Sequence, residues 1–144
     1  MESNRRVVPD RASRIRGGET EKLTINLGVV DLGQVDLLVQ EGFYSNRTDL
    51  IRTAIRNQLA LHVDEVRQTV ARRMLVLGLK DLTRAELDAA RKARQMLDIR
   101  VVGLARIAED VTPELARATI RTVDVLGAFH ASAAVRAALA DRIR

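Results

Sequence analysis

The side chains best suited to specific hydrogen bonding lie in one short stretch of alternating residues. Lys22, Thr24 and Asn26 alternate with leucine and isoleucine. Successive side chains of a β-strand point to opposite faces, so this pattern predicts a half-buried strand. The aliphatic side chains would face inward, and an ammonium, a hydroxyl and a carboxamide would face outward. These are binding groups and not a nucleophile with its base.

A second concentration of polar chemistry lies in the first 18 residues, which carry five arginines against Glu2 and Asp10. The segment has no hydrophobic periodicity, and Gly17 and Gly18 favour an irregular chain. Guanidinium groups on such a segment attract phosphate, although a merely solvated tail has the same composition. The arginines of this basic arm are Arg5, Arg6, Arg11, Arg14 and Arg16.

Several classes of site are excluded or unsupported by the composition. The chain has no cysteine, which rules out disulfides, thiolate metal sites and thiol nucleophiles. Its two histidines, His62 and His130, do not have a metal-binding spacing, and no glycine-rich phosphate loop is present. The sequence therefore predicts no metal, no cofactor and no enzymatic activity. Lacking a signal peptide and a long apolar run, the protein is expected to be cytoplasmic and not membrane-bound.

Two helices are predicted after the strand. Asp31 has the position of an N-cap, and Gly42 is a natural stop for the first helix. Asn46 is predicted to cap a second helix, which carries apolar residues at i, i+4 steps through Leu61 and has a break near His62.

One strand and two helices over some forty residues cannot enclose a core. The strand would have two unpaired edges, and nothing would cover its apolar side. Two copies would remove both difficulties by pairing their strands antiparallel and intertwining their helices. The sequence therefore predicts a homodimer.

These residues resemble the ribbon-helix-helix superfamily of MetJ, Arc and CopG type. The resemblance covers residues 21–61 and lies in the alternating strand 22–27 followed by the segment Gly42–Arg52, with its glycine turn and Asn-Arg-Thr cap. It implies that the paired strands form a two-stranded ribbon that enters the DNA major groove.

The resemblance also implies roles for individual residues. Lys22, Thr24 and Asn26 would face base edges, where Lys suits guanine, Asn suits adenine, and Thr offers a hydroxyl and a methyl group. The start of the second helix would hold a phosphate through its free N–H groups and dipole. The residues expected there are Asn46, Arg47 and Thr48.

The second half of the chain contains an internal repeat. Val-Leu-Gly or Val-Val-Gly recurs with its glycine at positions 78, 103 and 127, and a helix start follows each copy. This pattern predicts three β-α units with a short parallel sheet. One face should lie under the helices, namely Met74, Val76, Ile99, Val101, Val123 and Val125. The other face should form an apolar strip that serves as an oligomer interface, namely Leu77, Leu79, Val102, Leu104, Leu126 and Ala128.

The predicted fold class is α/β overall, with an intertwined ribbon-helix-helix dimer followed by the repeat domain. The expected segments are a flexible basic arm (1–20), the DNA-binding domain (21–61), a helical linker (62–72) and an oligomerisation or partner-binding domain (73–144). The predicted partners are double-stranded DNA and further copies of the chain.

The function predicted from these features is sequence-specific transcription regulation, as a nucleoid-associated repressor. Two alternatives stay open. One is an antitoxin paired with a toxin, and the other is a DNA-coating or scaffolding protein that polymerises through the repeat domain.

Overall fold

The structure is a computed structural model that describes residues 19–144. All five arginines of the predicted basic arm lie outside this range. The described chain is mixed α/β, with six α-helices and a three-stranded parallel sheet. It divides into two compact units: residues 23–75 form one, and the segment ending at Lys22 belongs with residues 76–144 in the other. No helix in the described range is long and apolar enough to cross a membrane.

The first unit contains three helices, α1 (Val29–Gln40), α2 (Arg47–Leu61) and α3 (Val63–Arg72). Gly42 ends the first helix as predicted: its φ of +82° lies in the left-handed region, and its N–H donates to the Val39 carbonyl. The predicted break at His62 separates α2 from α3.

The predicted start of α1 is wrong. Its N-cap is Gly28, whose carbonyl accepts from the N–H of Leu32 at 3.0 Å, and Asp31 lies within the first turn. A carboxylate in the first turn interacts favourably with the positive end of the helix dipole. The same residue type therefore suits a position inside the helix as well as the cap.

The second unit alternates strands and helices. Its elements in chain order are β1 (Val76–Leu82), α4 (Arg84–Lys92), β2 (Leu97–Ile107), α5 (Pro113–Thr119), β3 (Ile120–His130) and α6 (Ala133–Ala138), followed by a 3₁₀ turn at Ala140–Arg142. Side-chain caps start all three helices: Thr83 with Glu86 forms a capping box, and the Thr112 and Ser132 hydroxyls accept from backbone N–H groups. The parallel sheet has the order β1-β2-β3.

One side of this sheet forms the core with the helices. Ile99, Val101 and Val123 are buried there, as predicted. Two other residues predicted on this face are exposed: Val76 lies in the edge strand β1, and Met74 precedes that strand. An edge strand has a neighbour on one side only, so its side chains are covered less.

The three repeated glycines form one row across the sheet, because Gly78 pairs with Gly103 and Gly103 with Gly127. All three have positive φ, between +120° and +135°. A Cβ atom at Gly103 would overlap the carbonyl oxygen of Gly78, and one at Gly127 would overlap that of Gly103. The close approach is therefore to the backbone of the neighbouring strand. This contact exists at Gly103 and Gly127, whereas nothing lies within 4 Å of the Cβ position of Gly78.

A carboxylate joins the first residues of β2 and β3. Asp98 accepts two hydrogen bonds from the Arg121 guanidinium, at 3.0 and 2.6 Å, and one from the Thr122 hydroxyl at 2.8 Å. The Arg121 hydrogen bonds, and then that of Thr122, lower the pKa of the Asp98 carboxyl to about 2.

This shift predicts a pH-dependent contribution to stability. An unfolded aspartate titrates near pH 4, so the folded state gains stability above about pH 4 and loses it as the pH falls toward 2. Asp98→Asn should lower the melting temperature at pH 6, and the difference from wild type should shrink between pH 4 and 2. Thermal unfolding across this range measures the effect, with Glu109→Gln as an exposed control. A difference that is constant with pH would contradict the assignment.

Candidate nucleic-acid interface

The segment predicted to form the ribbon lies in neither a helix nor a strand of the single chain. The side chains predicted to face inward are solvent-exposed, with Leu23 at 78% and Ile25 at 52%. The three strands of the sheet pair with one another, and none of them pairs with this segment. The alternating pattern is therefore present without a partner strand in the isolated chain.

The helices that follow are equally uncovered. None of α1, α2 and α3 has a buried residue. Leu37 of α1, with Ile55 and Leu59 of α2, is among the exposed large apolar side chains. Large apolar side chains are therefore left exposed on both helices. Residues 23–75 thus have a helical scaffold but no core of their own.

The start of α2 has the predicted cap. The Asn46 carboxamide oxygen accepts from the N–H of Asp49 at 2.8 Å, and the Asp49 carboxylate accepts from the N–H of Ser45 at 3.0 Å. The cap uses the third N–H of the helix, and the N–H groups of Arg47 and Thr48 precede it in the first turn. Backbone donors at such a helix start can bind an anion.

Arg47 makes a contact that the sequence did not predict. Its guanidinium donates to both carboxylate oxygens of Asp36, at 2.7 and 2.8 Å, and so joins α1 to the start of α2. This paired hydrogen bond lowers the pKa of Asp36 and raises that of Arg47. It leaves the Nη1 group of Arg47 for another acceptor. No local sequence pattern predicts a contact between two residues that are eleven positions apart and lie on either side of a turn.

Lys22, Thr24 and Asn26 are all exposed. The boundary between the two compact units falls directly after Lys22, so this residue belongs with the sheet unit. Just before it, Glu19 accepts a hydrogen bond from Arg106 of β2 at 3.0 Å, and the Glu21 carboxylate lies 2.7 Å from Nε2 of His130 in β3. These contacts were not predicted from the sequence, because Glu19 was assigned to the arm and Glu21 to the DNA-binding domain, and neither to the sheet unit.

The predicted strip on the open sheet face is unevenly exposed. Leu77 in β1 and Leu126 in β3 are 58% and 51% exposed, whereas Leu104 of the central strand is 8% exposed. The other three strip residues, Leu79, Val102 and Ala128, are intermediate. The most accessible apolar side chains of this face therefore lie in its two outer strands.

Comparison with known proteins identifies one family. The Ribbon-Helix-Helix transcriptional regulator family matches residues 18–136, which include both the helices of the first unit and the three strands of the second. No curated protein and no solved structure matches the chain. The family match covers most of the sequence, and the chain accordingly belongs to the ribbon-helix-helix transcriptional regulator family.

Proposed function

We propose that the protein is a sequence-specific DNA-binding repressor that reads the major groove with a ribbon formed by two copies of residues 22–27. One observation carries this proposal: the aliphatic side of that segment is exposed next to helices that have no buried residue. A second copy would supply the missing strand and cover the helices at the same time. Family membership supports DNA binding by a dimer.

Base readout is assigned to the outward side of the ribbon. If Leu23 and Ile25 turn toward the helices, the alternation turns Lys22, Thr24 and Asn26 toward the DNA. Their side chains provide one cationic donor, one hydroxyl with a methyl group, and one carboxamide that can bind adenine through two hydrogen bonds. These three residues would specify the operator sequence.

Phosphate binding is assigned to the start of α2. The backbone N–H groups of Arg47 and Thr48 and the remaining donors of the Arg47 side chain would bind a phosphate next to the ribbon. The Asp36 hydrogen bonds support this role, because they fix the direction of the Arg47 guanidinium. Such contacts position the ribbon and carry no sequence information. The arginines of the arm would add sequence-independent attraction.

Self-association is assigned to the sheet of the second unit. The exposed Leu77 and Leu126 support an interface on its open face, together with the other residues of the predicted strip. Two DNA-bound dimers joined in this way would bind adjacent sites cooperatively. In this proposal the protein acts in the cytoplasm, on the nucleoid.

The readout proposal predicts the effect of shortening the ribbon side chains. Thr24→Ala and Asn26→Ala should each weaken operator binding by about 1–3 kcal/mol, which corresponds to roughly 5- to 150-fold in Kd. Binding to unrelated DNA should change little, because phosphate contacts dominate it. Mobility shift on a promoter fragment and on a scrambled fragment, at one salt concentration, measures both effects.

Thr20→Ala is the matched control for this experiment. It removes the same chemical group from an exposed residue outside the predicted ribbon and should leave the affinity unchanged. If Thr24→Ala and Asn26→Ala bind the promoter as tightly as Thr20→Ala does, the ribbon does not read the bases.

A further inference from the structure

The row of glycines defines a contact that repeats from strand to strand. At Gly103 the position of a Cβ atom is taken by the carbonyl oxygen of Gly78, and at Gly127 it is taken by that of Gly103. Each contact joins a strand to the strand that precedes it in the chain. Because the strands pair in parallel with matching register, each residue of the repeat lies beside the equivalent residue of the next strand.

The first strand has the same backbone conformation without the contact. Gly78 has a φ of +126°, yet nothing lies within 4 Å of the position that a Cβ atom would occupy. This position is open because β1 is the edge of the sheet. The edge of β1 therefore has the local geometry that β2 and β3 use to receive a preceding strand.

At the opposite edge of the sheet, most of the outer side of β3 is paired with no strand of the described chain. The end of the chain pairs with the outer side of β3 only at its beginning, where Ile143 bridges Val123 and the N–H of Arg144 donates to the Val123 carbonyl at 2.9 Å. Within residues 19–144, no strand pairs with the outer side of Val125–His130. These are six residues, and β1 contains seven. One backbone group among the six is used within the chain, since the Phe129 carbonyl accepts from the Arg136 guanidinium of α6 at 2.9 Å.

Extending the register across two copies brings compatible side chains together. With Gly127 opposite Gly78 of the next copy, Leu126 would lie beside Leu77 of that copy, joining the two most exposed side chains of the strip. Another set of paired residues across the sheet is charged or titratable: Asp81 in β1, Arg106 in β2 and His130 in β3. Within the chain, Asp81 accepts a hydrogen bond from Arg106 at 2.8 Å. The next residue in that set would be Asp81 of the neighbouring copy. This acid would lie beside His130, whose Nε2 is also 2.7 Å from the Glu21 carboxylate of its own chain.

We propose that copies of this protein associate head to tail through their sheet edges, with β3 of one copy pairing in parallel with β1 of the next. This inference rests on the proposed self-association and specifies its interface. The contact is heterologous, since each copy uses two different edges, and it therefore produces open chains or closed rings. Ribbon dimers carry two such domains, so edge pairing would link dimers along DNA.

Cysteine cross-linking tests this interface in the full-length chain, which has no native cysteine. Neighbouring strands lie about 4.8 Å apart, within the range of Cα distances that a disulfide spans. Within one chain β2 separates Leu77 from Leu126, roughly 10 Å by the same spacing, which is too far for a disulfide. On oxidation, the double variant Leu77→Cys/Leu126→Cys should form a ladder of covalent trimers and larger species on a non-reducing gel, with loss of the monomer band.

The controls identify other arrangements. Leu77→Cys combined with Ala134→Cys, which places the second thiol on the exposed surface of α6, should give no ladder. Two outcomes would overturn the proposal: a double variant that cross-links no more than this control, or a Leu77→Cys single variant that yields dimers as efficiently as the double variant. The latter would indicate two-fold pairing of β1 with β1. Mobility shift with the reduced double variant tests DNA binding separately, so a missing ladder would leave the DNA-binding proposal intact.

Discussion

Replacing Ile25 by aspartate should dissociate the proposed ribbon and abolish operator binding. Ile25 is 52% exposed in the single chain and would be buried when two copies pair. An unpaired carboxylate at a buried position costs several kcal/mol. A two-fold dimer contains the substitution twice, so the loss should be at least about 4 kcal/mol, or roughly a 1000-fold rise in the dimer dissociation constant.

Three measurements are needed because the proposed contact between sheet edges would also hold copies together. Sedimentation equilibrium reports the mass, circular dichroism reports whether α1 to α3 lose helicity, and mobility shift reports DNA binding. Thr24→Ala is the control, since it changes the opposite side of the same segment and should preserve the dimer. An Ile25→Asp protein that keeps its helicity and its DNA affinity would show that this segment does not pair with a twin.

Gly103→Ala should strongly destabilise the sheet. Its φ of +135° is unfavourable for any side chain, and the added methyl group would overlap the backbone of Gly78, which cannot rotate away as a side chain can. Backbone strain and overpacking each cost about 1–3 kcal/mol. We expect a total loss of about 3 kcal/mol or more, which lowers the melting temperature by more than about 10 °C.

Substitutions at two other glycines distinguish backbone strain from overlap with the neighbouring strand. Gly78→Ala has a similarly strained φ but open space, so it should show the strain alone and destabilise less. Gly33→Ala lies inside α1 with nothing within 4 Å and should stabilise that helix by roughly 0.5–1 kcal/mol. Urea denaturation at low protein concentration, where copies do not associate, compares the three. Equal losses for Gly103→Ala and Gly78→Ala would show that the strand-to-strand overlap is unimportant.

Features that depend on a few neighbouring residues were predictable from the sequence. The caps at Asn46, Thr83 and Thr112 and the stop at Gly42 involve atoms at most four residues apart, so residue type and spacing suffice. The start of α1 was the exception, because an aspartate is favourable both at the cap and in the first turn.

Contacts between distant residues could not be predicted in this way. The Asp36–Arg47 pair depends on the angle at which α1 meets α2, and the contacts of Glu19 and Glu21 depend on where the chain passes the ends of β2 and β3. Charged residues are common along the chain, so composition does not select these pairs. The family, in contrast, followed from an ordered set of local signals in residues 21–61 and was confirmed.

The sequence by itself determined the helix boundaries to within a few residues, the parallel sheet of the second half and the family, because each is encoded in periodicity and in capping residues. Only the tertiary structure decided which apolar side chains stay exposed and why three glycines recur. Exposure depends on what covers a residue, as Leu104 in the central strand and Leu77 at the edge illustrate. Gly103 and Gly127 are required by the backbone of the adjacent strand, a neighbour about 25 residues away in sequence that only the folded sheet brings into contact.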